Sequence, residues 1–232
     1  MLGGISVFFP AYNEAKNIER VVASALEVIP KLAREYEIII VDDGSSDVTG
    51  ELADALTRAN VNVRVVHHER NLGYGAALKS GFKNSKYEFI FYTDGDGQFD
   101  INQMRGLIEL IDSADIAAGY RKKRMDPLYR RINAFAYNIL IRFLFGLWHR
   151  DIDCGFKLLR KKIFEKITLE SDGAFISAEL LIKAKKENFR IKQIGVEHFS
   201  RRFGKPTGNH PKVVLQSFIE LIKLYRKLAK PQ

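Results

Sequence analysis

Two carboxylates and one amide, those of Asp94, Asp96 and Gln98, are separated by single glycines. Oxygen atoms of this kind are the ligands that Mg²⁺ takes in proteins, and a cation held in this way usually binds phosphate oxygens as well. The apolar run Tyr87–Tyr92 before them predicts a strand, so alternate side chains would point the same way and converge on one ion. A tight Asp-Gly turn without a ligand is the simpler alternative, and the surrounding sequence must decide between the two.

Length and composition predict one large domain with a substantial core. The chain has 232 residues, of which 46% are hydrophobic. Cys154 is the only cysteine, so an internal disulfide is excluded, and the N-terminus lacks the apolar run of a signal peptide. We therefore expect a cytoplasmic protein. A formal net charge of +9 favours anionic partners, among them nucleotides, lipid phosphates, anionic membranes and nucleic acid.

Short β-rich runs alternate with helical patterns in the first half of the chain, and this alternation predicts an α/β fold with a mostly parallel, Rossmann-like sheet flanked by helices. After Gly119 the pattern changes to long helices and basic loops. The predicted strands are Ile5–Phe9, Glu37–Val41, Val63–His67, Tyr87–Tyr92 and Asp115–Ala118, and the predicted helices are approximately Glu14–Ile29, Asp47–Ala59, Ala76–Asn84 and Ile101–Asp112.

Polar loops follow the first two predicted strands, at Pro10–Glu14 and Val41–Asp47. In doubly wound sheets, ligands bind outside the carboxyl ends of the strands. Asn13 has an alternative role as a helix N-cap. The paired carboxylates of Asp42 and Asp43 are better suited to accept hydrogen bonds from ribose hydroxyls or from a base edge. These loops therefore predict a nucleotide site at the same edge as the carboxylate motif.

Taken together, the motifs Pro10–Glu14, Val41–Asp47 and Asp94–Gln98 resemble those of the inverting family 2 glycosyltransferases, which have the GT-A fold. Through Arg70–Gly75 and Asp153–Lys157 the chain is most similar to the dolichyl-phosphate mannose and glucose synthases, a polyprenyl-phosphate branch of that family. The resemblance covers nearly the whole chain. It implies metal-dependent transfer of a monosaccharide from a GDP- or UDP-sugar to a polyprenyl phosphate of the dolichyl or undecaprenyl type.

The resemblance also assigns roles within a single domain, residues 1–232. Residues 1–119 would form the nucleotide- and metal-binding half, and residues 120–232 the acceptor-binding half. Asp94, Asp96 and Gln98 would hold Mg²⁺ or Mn²⁺ and the diphosphate, and Asp96 would thereby act in catalysis. Contacts to the nucleotide sugar are expected from Pro10, Ala11, Tyr12, Glu14, Val41, Asp43, Asp94, Gly95, Asp96, Gln98, Arg121 and Arg201.

Cations that follow the strand Asp115–Ala118 are candidates for binding the acceptor. Arg121 and Arg131 are expected to contact the acceptor phosphate, although a solvated basic loop is the alternative for this run. Arg201 matches the family's mobile R-x-x-G loop, in which Pro206-Thr207 replaces the usual serine and lysine.

The need for a general base depends on the acceptor. A phosphomonoester with a second pKa of about 6 is largely a dianion at neutral pH and needs none. A sugar hydroxyl would need one, and Asp153 and Glu179 are then the catalytic candidates. Glu179 has the alternative role of favouring the N-terminal end of a helix.

Two other enzyme activities stay open as alternatives. One is a family 2 transferase that acts on a glycan hydroxyl. The other is a sugar-nucleotide nucleotidyltransferase, which is less favoured because the first strand is not followed by a convincing glycine-rich, lysine-containing triphosphate loop. Nucleic acid is not expected as a partner.

Two segments in the second half are amphipathic. Residues 131–148 are apolar and aromatic, but Asn133, Asn138 and Arg142 argue against a membrane span. An in-plane helix at the bilayer surface and a helix packed on the sheet are both consistent with this composition, and the resemblance favours the first. Residues 211–229 form a basic amphipathic pattern that would cover the core, lie on a membrane or pair with another subunit.

These segments predict peripheral association with the cytoplasmic face of a membrane. A homodimer or a separate membrane subunit would be a further partner.

Overall fold

The computed structural model describes residues 1–123, 128–204 and 211–229, and the side chains of residues 128–134, 211, 212 and 229 fall outside that description. Seven strands of the described residues form one sheet, with strand order β3-β2-β1-β4-β6-β5-β7. The strands are β1 (Leu2–Ala11), β2 (Ala33–Asp42), β3 (Val63–His67), β4 (Phe89–Thr93), β5 (Ile116–Arg121), β6 (Phe156–Arg160) and β7 (Ile191–Val196).

The sheet is mostly parallel, as the alternation of elements predicts. β1 pairs in parallel with both β2 and β4, so Val7 lies between Ile38 and Phe91. β6 is antiparallel to both of its neighbours, β4 and β5. The central strands are buried along almost their whole length because helices cover both faces of the sheet.

The α-helices of the described residues are α1 (Ile18–Val28), α2 (Thr49–Ala59), α3 (Tyr74–Asn84), α4 (Met104–Ile111), α5 (Leu128–Phe145), α6 (Ile176–Lys186) and α7 (Pro211–Ala229).

Alternate residues of each central strand enter different cores. Val7 of β1 belongs to the core on one face, which α1, α2 and α4 cover. Phe8 belongs to the core on the other face, which α3, α5, α6 and α7 cover.

The predicted elements of the first half are confirmed in order and type, with differences of up to four residues at their ends. α1 begins at Ile18 rather than near Glu14, because the loop after β1 continues through Asn13, whose φ is +57°. Strands β6 and β7 were not predicted. Lys157 interrupts the apolar pattern of β6, and β7 is a half-exposed strand at the sheet edge.

Helix α5 packs some of its apolar side chains on the core and exposes others, so it has features of both predicted alternatives, a helix packed on the sheet and a helix at the bilayer surface. Tyr137 and Ile141 are buried in the core, whereas Phe135 and Phe143 are 65% and 79% exposed. The helix ends at Phe145, so the exposed Trp148 lies in the loop beyond it. The helices of the described residues are too short or too polar to cross a bilayer.

Helix α7 packs beside α5 and helps to cover the core. The rings of Tyr137 and Phe218 meet edge to face at 5.6 Å between their centroids. On the other side of α7, Leu215, Ile219 and Ile222 form an exposed stripe at helical spacing, which we call the α7 stripe.

Candidate active site

The carboxyl ends of β1, β2 and β4 bring the predicted nucleotide and metal residues to one edge of the sheet. The backbone N–H of Asp43 donates to the carbonyl of Ala11 at 2.9 Å, and the N–H of Gly95 donates to the carbonyl of Pro10 at 3.2 Å. The end of β1 is thereby joined to the starts of the two loops that follow β2 and β4. A ligand outside this edge would meet all three, as expected for a doubly wound sheet.

The carboxylate motif is a turn rather than a continuation of β4, which corrects the prediction that its residues alternate along an extended segment. β4 ends at Thr93. Gly97 has a φ of +68°, and the carboxylate of Asp96 accepts the N–H of Gln98 at 3.0 Å. The side chain of Asp96 thus stabilises a turn that glycine favours at its tip. Turn geometry, not strand alternation, determines where these side chains lie.

Both carboxylates of the motif lie in a desolvated environment. Burial raises the pKa of Asp94 to about 7, and the negative charge of Asp96 adds to the increase, while Tyr74, Arg121 and Lys157 oppose it. Burial also raises the pKa of Asp96, against the opposing effects of the Gln98 N–H and the charge of Arg201. Two acids that repel each other in a desolvated turn form a site that a cation would stabilise.

The donor set fits Mg²⁺ or Mn²⁺ with substrate oxygens as further ligands. Within the described part of the chain, His, Cys, Asp and Glu side chains form no group of three or more arranged to hold a metal. Mg²⁺ characteristically takes one or two protein carboxylates and completes its octahedron with water and phosphate. Asp94 and Asp96 match that pattern.

Gln98, the third predicted metal ligand, is held by another loop in this structure. Its amide nitrogen donates to the carbonyl of Phe199 at 2.7 Å, and the N–H of Phe199 donates back to the Gln98 carbonyl at 2.9 Å. The amide therefore ties the carboxylate turn to the segment before Arg201. Its role as a metal ligand stays a prediction.

Arg201 links two of the predicted nucleotide-sugar residues. Its guanidinium forms ion pairs with the carboxylate of Glu14 and, at 3.3 Å, with that of Asp96. Burial raises the pKa of Glu14, while the hydrogen bond from Asn17 and the charge of Arg201 oppose the increase. The structure thus brings a cation into a cluster of acids, at the place where a diphosphate is predicted.

Asp43 binds the loop between β3 and α3, which ends with Leu72 and Gly73. One carboxylate oxygen accepts the N–H of Leu72 and the other accepts the N–H of Gly73, both at 2.9 Å. The ring of His68 lies between Asp43, at 2.6 Å, and the hydroxyl of Ser80, at 2.8 Å. These contacts give Asp43 a structural role.

Two further predicted nucleotide contacts differ in exposure. Tyr12 is half-buried, and Val41 is fully buried in the core beneath the edge. Contact of Tyr12, Val41 and Asp43 with a nucleotide stays a prediction.

Arg121 lies at the end of β5 and is held by an acid that the sequence analysis did not select. The carboxylate of Asp151 accepts two hydrogen bonds from the guanidinium, at 2.7 and 2.8 Å. Asp153, the predicted base, is exposed. Its negative charge contributes to raising the pKa of Arg121, of Lys157 and of Tyr137. The structure therefore places Asp153 near Arg121 and Lys157, whose positive charges also act on Asp94.

Glu179 lies in α6 and is only 2% exposed. Its carboxylate accepts the backbone N–H groups of Glu170 and Ser171 at 2.9 Å and forms an ion pair with Lys183 at 2.6 Å. This geometry favours the structural interpretation of Glu179 over the role of a general base, because its oxygens already bind the preceding loop.

Two predictions lie outside the described residues. The structure does not describe the side chain of Arg131, the second predicted ligand of the acceptor phosphate. The residues Pro206-Thr207 of the mobile loop also fall outside the description.

Three residues of the site were missed by sequence reasoning: Tyr74, Asp151 and Lys157. Tyr74 donates a hydrogen bond to Asp94 at 2.8 Å. Lys157 is completely buried, and its ammonium group donates to the carbonyls of Ile152 and Cys154. The available signal was the resemblance itself, since Tyr74 lies in the motif Arg70–Gly75 and Lys157 in the motif Asp153–Lys157.

Comparison with known families identifies the family to which the chain belongs. The family described as glycosyl transferase family 2 matches residues 6–168. The chain belongs to glycosyl transferase family 2. The predicted family is therefore confirmed, and the matched range contains the carboxylate turn, Asp43, Asp151 and Asp153 of this family 2 glycosyltransferase.

Curated relatives include several proteins named for polyprenyl lipids. Polyprenol monophosphomannose synthase of Mycolicibacterium smegmatis is 31% identical over 85% of this chain and 78% of its own length. Dolichyl-phosphate beta-glucosyltransferase of Dictyostelium discoideum is 29% identical over 83% of this chain and 65% of its own length. The chain covers only 32% of the length of another relative, glycosyltransferase AglD of Haloferax volcanii, which is also 31% identical.

Solved structures confirm the predicted GT-A fold. Glucosyl-3-phosphoglycerate synthase from Mycobacterium tuberculosis, in complex with Mn²⁺, uridine diphosphate and phosphoglyceric acid, superimposes with a TM-score of 0.74. The match covers 99% of this family 2 chain and 80% of the synthase at 20% identity. At that identity the likeness establishes the fold alone.

Proposed function

We propose that this family 2 glycosyltransferase moves a monosaccharide from a GDP- or UDP-sugar to a polyprenyl phosphate, with inversion at the anomeric carbon. The pair of desolvated carboxylates Asp94 and Asp96, at the carboxyl edge of the sheet, is the observation that supports a nucleotide-sugar donor. Curated relatives that bear the names of polyprenol, dolichyl, dodecaprenyl and undecaprenyl phosphate enzymes support the acceptor.

On the donor side, Asp94 and Asp96 would hold Mg²⁺ or Mn²⁺. When bound, the cation neutralises charge that develops on the leaving diphosphate. Arg201 supplies a second positive charge at the same place, since it already pairs with Asp96 and Glu14. A bound diphosphate would compete with these carboxylates for the guanidinium, so Arg201 is suited to stabilise the leaving group.

On the acceptor side, a lipid phosphate would attack the anomeric carbon directly. Its second pKa of about 6 makes it largely dianionic at neutral pH, so no side chain has to remove a proton. Arg121 and Arg131 would hold the phosphate. The two hydrogen bonds from Arg121 to Asp151 fix the direction of that guanidinium before the acceptor arrives. A single displacement of this kind inverts the configuration.

A lipid acceptor requires contact with a bilayer, and α5 and α7 present suitable surfaces. Phe143 of α5 and the α7 stripe are exposed apolar groups, and Lys223 and Arg226 of α7 are exposed cations next to the stripe. Exposed apolar side chains flanked by cations are typical of helices that lie in the interface of an anionic membrane. We propose peripheral association with the cytoplasmic face through these exposed residues of α5 and α7.

Mass spectrometry of the lipid products tests the proposal. The purified protein is incubated with polyprenyl phosphate, Mg²⁺ or Mn²⁺ and a panel of GDP- and UDP-hexoses, with Asp96→Asn as the matched inactive control. A glycolipid formed by the wild type alone supports the proposal and identifies the sugar. Release of the nucleoside diphosphate without a lipid product would contradict the lipid acceptor. It would favour the alternative in which a glycan hydroxyl is the acceptor and Asp153 is the base. Release of pyrophosphate from a nucleoside triphosphate and a sugar phosphate would instead identify a nucleotidyltransferase.

A further inference from the structure

The hydroxyl of Tyr74 meets a proposed metal-binding carboxylate. It donates a hydrogen bond to Oδ1 of Asp94 at 2.8 Å. Tyr74 is the first residue of α3, and its ring packs against the core that α3 and α6 share. A phenol has an ordinary pKa of about 10, so its hydroxyl is a hydrogen-bond donor at neutral pH.

Backbone also approaches the same carboxylate closely. A Cβ atom placed on Gly155 would lie 2.5 Å from Oδ2 and 2.7 Å from Oδ1 of Asp94. Asp94 is therefore confined both by the Tyr74 hydroxyl and by the backbone of Gly155, which immediately precedes β6. A carboxylate restricted in this way points in one direction, which is the requirement for a metal ligand with strict octahedral geometry.

Tyr74 is itself held by a loop that precedes α6. The N–H of Gly75 donates to the carbonyl of Asp172 at 2.8 Å, and a Cβ atom on Gly75 would lie 2.6 Å from the Asp172 carbonyl carbon. The same loop is bound by the buried carboxylate of Glu179 through the N–H groups of Glu170 and Ser171. The backbone at the start of α3, next to Tyr74, is thus fixed by this loop.

We infer that Tyr74 is a positioning residue, which fixes Asp94 in the orientation that binds the divalent cation. This inference rests on the proposed role of Asp94 in cation binding. Hydrogen bonds from outer residues to metal ligands commonly change metal affinity by about 10- to 100-fold when they are removed. Tyr74 acts through Asp94, and its effect is therefore expected on the cation rather than on the acceptor.

The substitution Tyr74→Phe removes the hydroxyl and keeps the ring. Binding of Mn²⁺ is titrated by electron paramagnetic resonance in the presence of uridine or guanosine diphosphate, without any turnover. We expect the affinity for Mn²⁺ to fall by about 10- to 100-fold. In the Asp94→Asn background, Tyr74→Phe is expected to have little further effect, because the two residues act through one contact.

Tyr36→Phe is the matched control, since Tyr36 belongs to the same sheet but lies near the amino end of β2. Thermal unfolding of each variant is measured alongside. An unchanged affinity for Mn²⁺ in Tyr74→Phe, or an equal loss in Tyr36→Phe, would overturn the inference. Failure of the wild type to bind Mn²⁺ would overturn it together with the cation assignment, whereas the lipid product assay tests the acceptor independently.

Discussion

Arg121 and Asp151 form a largely buried ion pair with two hydrogen bonds, of 2.7 and 2.8 Å, between β5 and the loop before β6. Removing one partner of such a pair leaves an uncompensated buried charge, which costs about 3 kcal/mol or more. We therefore expect Asp151→Asn to lower the free energy of unfolding by about 3 kcal/mol in urea titrations. Glu27→Gln, which breaks the exposed pair with Lys31, should leave it nearly unchanged. Equal effects of the two substitutions would contradict this account.

Gly155→Ala tests whether space behind Asp94 is needed for cation binding. The new methyl group would lie 2.5 Å from Oδ2 of Asp94, so the carboxylate must turn away. A side-chain carboxylate moves more easily than backbone, and we therefore expect a loss of Mn²⁺ affinity that exceeds any loss of thermal stability. Titration of Mn²⁺ and thermal unfolding on the same samples check this expectation. A variant that binds Mn²⁺ as tightly as the wild type would show that Asp94 is not restricted in this way.

Glu37 provides a pH-dependent contribution to stability far from the site. Burial raises the pKa of its carboxyl, but hydrogen bonds from Ser6, the Lys86 N–H and Arg64 outweigh that effect and lower it overall. Because the folded pKa lies below the unfolded one, the stabilisation is present above the unfolded pKa of about 4.3 and is lost as pH falls through the folded value.

Glu37→Gln is therefore expected to be about 2 kcal/mol less stable than the wild type at pH 7. The difference should shrink as the pH is lowered below about 4, as checked by urea titrations at several pH values. A difference that does not depend on pH would mean that Glu37 stabilises the fold without its charge.

The α7 stripe makes a prediction about membrane binding. Ile222→Glu introduces a charge among exposed apolar side chains and removes about 2 kcal/mol of apolar transfer free energy. We expect at least tenfold weaker binding to vesicles of equal parts phosphatidylglycerol and phosphatidylcholine, measured by sedimentation. Val61→Glu is the control, since Val61 is fully exposed in the loop between α2 and β3. A similar loss of vesicle binding in both variants would show that the α7 stripe is not part of the proposed membrane interface.

The sequence predicts those parts of the site that depend on local pattern. Apolar runs mark β1, β2 and β4, and the loops after parallel strands must meet at one edge. The positions of Asp94, Asp96 and Asp43 at that edge therefore follow from the sequence. Arg201 reaches the same edge, but its ion pairs with Glu14 and Asp96 depend on how a distant loop folds back over the motif.

Contacts that depend on packing between elements were not predictable in this way. Tyr74 meets Asp94 across 20 residues of sequence because α3 packs on β1 and β2, with its Phe82 ring against Tyr92 of β4. Asp151 reaches Arg121 across 30 residues because β6 is inserted antiparallel between β4 and β5. Glu179 illustrates the converse, since an acid that the resemblance makes a candidate base instead binds the backbone of the loop before its helix.

Comparison of two acceptors tests the central claim most directly. Transfer of labelled sugar from the preferred nucleotide sugar is measured with polyprenyl phosphate and with the matching polyprenol, which differ only in the phosphate. Because the phosphate is the proposed nucleophile, we expect a glycolipid from polyprenyl phosphate and none from polyprenol, with activity retained in Asp153→Asn. Equal transfer to polyprenol, or loss of transfer to polyprenyl phosphate in a folded Asp153→Asn variant, would contradict the proposal that a lipid phosphate attacks without a base.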